Sequence, residues 1–445
     1  MRLRIDARSR HAGLLLACFL CCCAWPPAAN AQRVYIDINQ PIFAKIPIAV
    51  PDIKRQSSAE AQVAHDAADT LNKDLDFSGL FRTLDPTGFP GDPQSIGVAQ
   101  GEIDFPAWRR LGSEFLVRGS YTIQGGNIQM EMYLYDVVGG RQVLGKAYDG
   151  RIGDWKGMVH RFADEIIMAL TGERGVFGTK IAFVEVQGQT KEIYVVDFDG
   201  GNPMPVTQNK SINLSPAWSK DGGQLAFCSY KNDTPQLFVV NVFDGSQRLL
   251  SGFPGLNITP AWRPGGSELA ATLSKDGNPN IYLLSSSGAV ISKLVESWGI
   301  SVSPSWSPDG RRLAYVSSEG GNPQIYVLNV GSGQKRRITY KGSYNTSPRW
   351  SPKGDYIAYS GMSGGQHNIF IIPPDGGDAK QLTSGAGSNE SPTWSPDGRL
   401  LAFSSTREGG SAIYVMSLND QSVKRVTHLP GSQELPDWSP RLTGK

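Results

Sequence analysis

Ser303-Pro304-Ser305-Trp306-Ser307-Pro308-Asp309-Gly310 is one copy of a phrase that recurs through the second half of this chain. The tryptophans of the six copies are 44 residues apart, at Trp218, Trp262, Trp306, Trp350, Trp394 and Trp438. Two sets of apolar triplets keep the same step, one set starting at Ile181 and the other at Ile193. Self-similarity with a fixed period of about 20 to 50 residues is the signature of a repeat architecture.

Within one copy of the repeat, the local sequence patterns predict only strands and turns. A short strand around Trp306 is followed by Pro308-Asp309-Gly310, which is a tight-turn tripeptide. Further strands are expected at 312–317, 324–330 and 335–339, with Gly-rich turns between them. Four antiparallel strands in a unit of about 40 to 45 residues make one blade of a β-propeller.

The phase of the repeat predicts how the ring closes. The position 44 residues before Trp218 is Arg174, where no tryptophan phrase occurs. The first blade, from Lys180 to about Thr207, therefore has only its second, third and fourth strands. We expect the strand of Trp438 to supply the innermost strand, which closes six blades into a ring without open sheet edges.

The first 31 residues predict a cleaved export signal. A basic stretch with four arginines precedes the apolar run 13–25, and Ala29-Asn30-Ala31 fits cleavage before Gln32. No other stretch approaches the length of a membrane span, so we expect an exported chain without direct membrane insertion. The alternative is a lipoprotein cleavage box at Leu15-Leu16-Ala17-Cys18, but it would leave the apolar residues 19–25 on the mature protein.

The number of cysteines and the net charge further restrict the class of protein. Four of the five cysteines lie in the signal and only Cys228 remains, so we expect no intramolecular disulfide and no cysteine metal cluster. This favours a bacterial signal, because large secreted eukaryotic chains usually use disulfides. The net charge of the signal is +3 and that of the whole chain is +2, so the residues after the signal have a net charge of −1. That balance gives no reason to propose a nucleic acid or an anionic membrane surface as partner.

The residues between the signal and the ring predict a small α/β domain. Apolar and polar residues alternate from Val34 to Ile38, which is a strand pattern. Ser57-Ser58-Ala59-Glu60 is a capping box ahead of a helix whose apolar stripe runs from Val63 to Leu75. A last helix, capped by Asp154, is expected to run to Leu170. Further strands are expected at 114–123, 128–137 and 142–148.

The chain is thus predicted to comprise a signal peptide (1–31), an N-terminal α/β domain (32–175) and an all-β six-bladed propeller (176–445). In the propeller, the six tryptophans are expected to be core anchors of the innermost strands rather than a ligand cage.

Patterns that suggest catalysis or metal binding have structural explanations. Gly361-Met362-Ser363-Gly364-Gly365 fits the Gly-x-Ser-x-Gly pattern of serine hydrolases, but it is expected in a strand–strand turn and not in the strand-to-helix elbow that this motif needs. Asp-Gly pairs such as Asp309-Gly310 lose their carboxylate at Gly265-Gly266 and Lys353-Gly354, so hairpin chemistry explains them. The histidines show no ligand spacing. We therefore predict a non-enzymatic chain without cofactor or metal.

The remaining candidate site is a set of loops that lead into the tryptophan strands. These loops differ from blade to blade, whereas the strands do not, and they are polar and rich in amides. They comprise 213–214, 256–259, 300–303, 344–346, 388–390 and 433–434. Unequal loops around one mouth of the channel suit the recognition of a peptide or protein. The alternative is that they are simple solvated loops.

The domain junction resembles that of the TolB family. Met158 to Glu165 and Leu170 to Phe177, which lead straight into Lys180-Ile181-Ala182-Phe183, carry the resemblance. Tyr133 to Val137 and Arg33 to Ile38 are also similar to this family. Together with the blades, the resemblance covers the whole mature chain. The blade phrase alone also occurs in peptidase propellers and other periplasmic propellers, whereas the junction and the domain order are specific.

The resemblance implies a monomeric periplasmic component of the Tol–Pal envelope system of Gram-negative bacteria, which supports outer-membrane constriction and integrity during cell division. It implies that the propeller mouth binds the peptidoglycan-associated lipoprotein Pal. On this chain the Pal site would comprise Leu256, Asn257, Thr259, Ser301, Val302, Asn345, Thr346, Asn389 and Glu390. The N-terminal segment Gln32 to Pro41 is implied to engage TolA, an inner-membrane partner. Its contact residues would be Gln32, Arg33, Val34, Tyr35, Ile36, Asp37 and Ile38.

We also expect a two-site switch, in which the N-terminal strand either docks on the body or is released for TolA, and Pal at the mouth biases the choice. Two other classes stay open. One is the propeller part of a peptidase, which is disfavoured because no hydrolase domain follows the ring. The other is a periplasmic propeller that binds a small ligand or sugar in its channel.

Overall fold

The computed structural model describes residues 44–56 and 61–442 of the chain, all within one unit of close contacts. The predicted signal peptide, the segment Gln32 to Pro41 that is predicted to engage TolA, and the predicted capping box at 57–60 lie outside the described residues.

The N-terminal domain is a six-stranded sheet with two long helices on one face. Its strands are β1 (Ile46–Ala49), β2 (Lys54–Arg55), β3 (Phe81–Thr83), β4 (Phe115–Gln124), β5 (Asn127–Asp136) and β6 (Arg141–Arg151). Its helices are α1 (Gln62–Phe77), α2 (Phe105–Arg110) and α3 (Trp155–Thr171), with short 3₁₀ turns at Pro86–Gly88, Gln100–Glu102 and Ile152–Asp154. The sheet order is β3-β1-β4-β5-β6, and β2 pairs with β4.

Hydrophobic periodicity explains how these elements pack. Met130, Met132 and Leu134 on β5 are buried against α1 and α3, while the residues between them face outwards. The predicted apolar stripe from Val63 to Leu75 forms the buried face of α1. On the other face of the sheet, Trp108 of α2 covers a second core. The parallel pairs of β1 with β3 and β4 bring distant segments together and were not predicted.

Asp154 occupies the N-cap position of α3, as predicted, but its side chain does not cap the helix. Asp154 has helical backbone angles and makes no side-chain capping bond to α3. Its carboxylate instead accepts the backbone N–H of Arg151 at 3.0 Å, which closes the preceding 3₁₀ turn. At the other end, Gly172 has φ of 75° and terminates α3, because glycine adopts the left-handed conformation without steric cost.

The propeller consists of six four-stranded antiparallel sheets, as predicted. Blade 1 contains β7 (Lys180–Gln187), β8 (Thr190–Asp197) and β9 (Met204–Pro205). Blade 2 contains β10 (Asn213–Trp218), β11 (Gln224–Ser229), β12 (Gln236–Asn241) and β13 (Gln247–Ser251). Blade 3 contains β14 (Asn257–Trp262), β15 (Leu269–Leu273), β16 (Asn280–Leu284) and β17 (Val290–Val295).

The other three blades repeat this pattern. Blade 4 contains β18 (Ser301–Trp306), β19 (Arg312–Ser317), β20 (Gln324–Asn329) and β21 (Lys335–Arg337). Blade 5 contains β22 (Asn345–Trp350), β23 (Ile357–Ser363), β24 (Gln366–Ile372) and β25 (Lys380–Gln381). Blade 6 contains β26 (Asn389–Trp394), β27 (Leu400–Glu408), β28 (Gly410–Ser417) and β29 (Val423–Arg425).

The C-terminal strand closes the ring. Strand β30 (Ser432–Trp438) pairs antiparallel with β7 and becomes the innermost strand of blade 1. The predicted closure is therefore confirmed. The propeller core lies between blades, where residues such as Cys228 and Val239 of blade 2 pack against Leu273 and Tyr282 of blade 3.

Candidate protein-binding faces

The direction of the innermost strands distinguishes the two faces of the ring. The innermost strands begin at one face of the ring, where the loops from the preceding blades enter them. We call this face the loop face. The face at which they end, at the six repeat tryptophans, is the tryptophan face. Because neighbouring strands are antiparallel, the hairpins between the second and third strands lie on the loop face. The Pro-Asp-Gly turns lie on the tryptophan face.

Four of the six repeat tryptophans, Trp218, Trp262, Trp306 and Trp394, donate an indole hydrogen bond to the preceding blade. The indole Nε1 of Trp262 donates to the carbonyl oxygen of Ala217 at 3.1 Å, and that of Trp394 donates to Arg349 at 2.9 Å. Each acceptor belongs to the preceding blade, so these hydrogen bonds connect the blades around the channel. The six rings also line a cavity of about 380 Å³ where the channel opens on the tryptophan face.

An ion pair separates this cavity from a smaller one, of about 60 Å³, further along the channel. The guanidinium of Arg349 lines both cavities, and its Nη2 lies 3.5 Å from Oδ1 of Asp437. The other oxygen of Asp437 accepts the backbone N–H of Trp218 at 2.8 Å. Burial raises the pKa of Asp437, and the Arg349 charge and the Trp218 amide oppose that shift.

Several predicted Pal-site residues are buried and fasten the loops of the loop face. Asn257, Ser301, Asn345 and Asn389 each start an innermost strand and are almost fully buried. The Asn257 amide donates to carbonyl oxygens before it in the chain, including Phe253 at 2.7 Å, and its Oδ1 accepts from the Ser251 hydroxyl. These side chains can shape the rim, but in this structure they do not present themselves to a partner.

The other predicted Pal-site residues are more accessible. Leu256, Thr259, Val302 and Thr346 are half-buried, and Glu390 is exposed. Thr259 has φ of 49°, a left-handed conformation that is unusual for a β-branched residue. The corresponding residue of every other innermost strand is also left-handed, and the pairing of each strand with its neighbour shifts register at this point. The shift turns this part of each strand towards the small channel cavity.

The loop face also carries exposed apolar side chains that the sequence analysis missed. Five of them, Trp298, Ile300, Tyr340, Tyr344 and Met362, lie in the loops from blade 3 to blade 5, and we call this set the apolar crescent. Trp298 and Tyr340 are the most exposed, at 72% and 71%. One indication of these residues was present in the sequence, because Ile300 and Tyr344 directly precede the predicted site residues Ser301 and Asn345. A single aromatic residue in a loop belongs to no periodic pattern, so the sequence does not show whether its side chain is exposed or packed.

Backbone hydrogen bonds hold the crescent in place. The backbone N–H of Ser318 donates to the Ile300 carbonyl oxygen at 3.0 Å, and the backbone N–H of Ile300 donates to the Ser318 hydroxyl at 3.0 Å. The backbone N–H of Met362 donates to the Tyr344 carbonyl at 3.0 Å, and the Tyr344 ring meets His367 edge-on. The crescent therefore spans the loops from blade 3 to blade 5 on a supported backbone.

The motifs with possible chemistry lie in turns. Ser363 ends β23 and belongs to the β23–β24 hairpin, where no helix follows to form a nucleophile elbow. The Asp309 carboxylate accepts from the Ser307 hydroxyl and the Arg311 N–H, and these hydrogen bonds lower its pKa. Within 44–56 and 61–442, no group of three or more potential metal ligands occurs, and no helix is long and apolar enough to cross a membrane.

The N-terminal domain contacts the outer part of blades 1 and 6. Phe198, which follows β8, packs its ring against Phe77 of α1, His160 of α3 and Phe177. At the edge of this contact, Asp76 pairs with Lys424 at 2.5 Å, and Lys45 pairs with Asp420 at 2.6 Å. We call this contact the domain joint.

Comparison with known proteins agrees with this architecture. The family model described as "TolB beta propeller domain" matches residues 167–442, and the one described as "TolB amino-terminal domain" matches 34–143. The "Tol-Pal system protein TolB" of Desulfosudis oleivorans is 45% identical over 211 residues, which are 47% of this chain and 48% of the relative. That of Geobacter metallireducens is 42% identical over 201 residues, or 45% and 46%.

The chain thus spans about half the length of the curated relatives it matches. The crystal structure of TolB from Acinetobacter baumannii superimposes with a TM-score of 0.78 at 24% identity, over 91% of this chain and 99% of that one, and so has the same fold. The propeller match alone extends over more than half of this chain. With the amino-terminal domain ahead of a six-bladed ring closed by its last strand, the chain belongs to the TolB family.

Proposed function

We propose that this chain is a non-enzymatic, protein-binding component of the Tol–Pal system in the periplasm, where it supports outer-membrane constriction and integrity during cell division. Its loop face binds the lipoprotein Pal, and its N-terminal segment Gln32 to Pro41 binds TolA. Membership of the TolB family and relatives named as Tol-Pal system proteins support this placement. The observation that carries the Pal site is the apolar crescent beside the predicted mouth residues.

Exposed aromatic side chains on a supported backbone are suited to protein recognition. Large aromatic residues contribute more binding energy than most contact residues, because they bury much area and lose little conformational freedom. Trp298 and Tyr344 have large exposed surfaces, while their backbones are held by bonds such as that from the Asn278 amide to the Trp298 carbonyl. The buried asparagines would then act indirectly, by fixing the loops that carry the crescent.

Replacing Trp298 and Tyr344 by alanine is expected to weaken Pal binding by about 10- to 100-fold, because two exposed aromatic contacts are lost. The measurement is titration calorimetry with the soluble domain of Pal from the same organism. Phe243→Ala is the matched control, because Phe243 is 80% exposed but lies in the β12–β13 turn on the tryptophan face. The affinity of the Phe243→Ala protein for Pal should equal that of the unmodified protein.

The possible outcomes separate the hypotheses. Unchanged affinity of the Trp298→Ala/Tyr344→Ala protein would exclude the crescent from the Pal site. A loss of affinity in Phe243→Ala alone would move the site to the tryptophan face. If the unmodified chain does not bind Pal, a screen for thermal stabilisation by small ligands would test the alternative of a ligand-binding channel.

Deleting Gln32 to Pro41 is expected to abolish binding to the soluble domain of TolA, because the segment would supply the contact itself. In the proposed two-site switch, this deletion should also change the affinity for Pal. Coupling between two binding sites is reciprocal, so TolA and Pal must change each other's affinity by the same factor. An unchanged affinity for Pal after the deletion would show that the switch is wrong, even if TolA binding is lost.

A further inference from the structure

The domain joint contains a buried acidic group whose partner is a histidine. Asp74 lies on the buried side of α1 and is 2% exposed. Its Oδ2 lies 2.7 Å from Nδ1 of His160 on α3, which is itself buried. The His160 ring packs edge-on against Phe198 of blade 1, with ring centroids 5.3 Å apart. The pair therefore lies where the two domains meet.

Charged groups from each neighbouring element surround this pair. Lys156 of α3 pairs at 3.0 Å with Asp199, which belongs to the β8–β9 turn of blade 1. Lys73, next to Asp74 on α1, pairs with Asp69 and points to solvent. Further along α3, Asp164 accepts the backbone N–H of Phe177 at 3.0 Å and is near Arg441 and His160.

Burial disfavours the ionised carboxylate at two of these positions. Loss of hydration raises the pKa of Asp74 to about 6, although the His160 hydrogen bond acts in the opposite direction. Burial likewise raises the pKa of Asp164 to about 6, against the hydrogen bonds from Phe177 and Gly178. Burial would raise the pKa of Asp199 too, but the Gly201 N–H and Lys156 outweigh it, so its pKa is lowered.

We propose that the Asp74–His160 pair makes the domain joint a proton-sensitive contact, which holds the N-terminal domain to the propeller more firmly at mildly acidic pH than at neutral pH. A carboxyl group whose pKa is higher in the folded protein than in the unfolded chain stabilises the fold below its unfolded pKa. That stabilisation is lost as the pH rises through the folded pKa. For Asp74 and Asp164, the window lies between about pH 4 and pH 7.

The other charged groups at the joint act outside this window. The lowered pKa of Asp199 contributes stability that is present above its unfolded pKa and is lost only below about pH 4. The pKa of Lys73 is raised by its hydrogen bond to Asp69, so its contribution changes only at strongly alkaline pH. The proposal is independent of whether Pal or TolA binds this chain.

The test compares Asp74→Asn with the unmodified protein at pH 5.0 and pH 7.5. Asparagine keeps the shape and can still accept a hydrogen bond from His160, but it does not ionise. We expect the melting temperature of Asp74→Asn, relative to the unmodified protein, to rise by several degrees from pH 5.0 to pH 7.5. Asp66→Asn is the matched control, since Asp66 is on the same helix, only half-buried and bonded to Gln62. The change in relative melting temperature between the two pH values should be smaller for Asp66→Asn than for Asp74→Asn.

Hydrogen exchange places the effect in the molecule. After correction for the intrinsic pH dependence of exchange, the amides of α1 and of the turn at Phe198 should lose protection from pH 5.0 to pH 7.5. Amides of blades 3 and 4 should not. Equal changes throughout the chain, or the same pH dependence in Asp74→Asn as in the unmodified protein, would overturn the proposal.

A direct titration of the unmodified protein covers the case in which Asp74→Asn does not fold. With aspartate labelled by ¹³C at the side-chain carboxyl, two resonances should titrate near pH 6, and one of them should disappear in Asp164→Asn. If no aspartate resonance titrates above about pH 5, the joint has no group that responds in this window and the proposal is wrong.

Discussion

A chain truncated after Gly431 is expected to lose its cooperative thermal transition, because the deletion removes the innermost strand of blade 1. Strand β30 pairs with β7 from Ser432↔Val186 to Trp438↔Ile181. Without it, β7 becomes an open sheet edge, and water takes the place of the buried Trp438 side chain. The expected observations are a broad, low-temperature transition in calorimetry and strong binding of a hydrophobic dye.

Side chains across the closure make the loss larger than that of one strand. The Glu185 carboxylate is buried and accepts from the Gln433 amide at 2.8 Å and from the backbone N–H of Gly431 at 3.0 Å. The truncation removes the Gln433 donor together with the strand, so this hydrogen bond across the closure is lost as well. The indole of Trp438 also donates to the Thr179 hydroxyl at 2.8 Å.

A peptide of residues 432–442, added in trans, is the control for this truncation. It should restore a cooperative transition, because the missing contacts can form without covalent continuity. A truncated protein that melts as the full chain does would show that ring closure does not stabilise the propeller. Failure of the peptide to restore the transition would indicate that the continuous chain, and not only the contacts, is required.

Gly288→Ala is expected to destabilise the propeller by about 3 kcal/mol or more, because two penalties act at one position. Gly288 lies in the β16–β17 turn of blade 3 with φ of 89°, where an L-residue is strained. A Cβ at this position would overlap the carbonyl oxygen of Leu250 in the outer strand of blade 2. The backbones of two blades would therefore have to separate.

Gly333→Ala is the matched control for the second penalty. Gly333 occupies the corresponding turn of blade 4 with φ of 71°, but a Cβ there would meet no atom within 4 Å. We expect this variant to lose only about 1 to 2 kcal/mol, the cost of the left-handed conformation. Thermal or denaturant unfolding of the two variants, measured side by side, separates the penalties. Equal losses would contradict the close approach of blades 2 and 3.

The blade pattern could be predicted because it is local and repeated. The strand at 312–317 is observed with the predicted bounds, since a short apolar run between turn residues defines it within a few positions. The closure by the strand of Trp438 also followed from the sequence, because the phase of a repeat is a property of spacing alone. Asp154 lies at the predicted N-cap position but makes no capping bond to α3, because nearby backbone donors compete for one carboxylate, and the sequence does not rank them.

The candidate site could be predicted only as a set of loops. Their positions follow from the repeat, but the exposure of each residue depends on how the loops cross between blades. Asn257 and Trp298 illustrate this difference, since the polar residue is buried by its hydrogen bonds and the apolar residue is left in solvent. Hydrophobicity alone predicts the reverse for both positions.

By itself, the sequence determined the six blades, their strands and the closing strand, because a repeat encodes these in the spacing of its residues. Only the tertiary structure decided which loop residues reach solvent and that Asp74 meets His160 at the domain joint. Those two residues are 86 positions apart in the chain. Contacts at such separations depend on the packing of complete domains, which no local pattern of residues specifies.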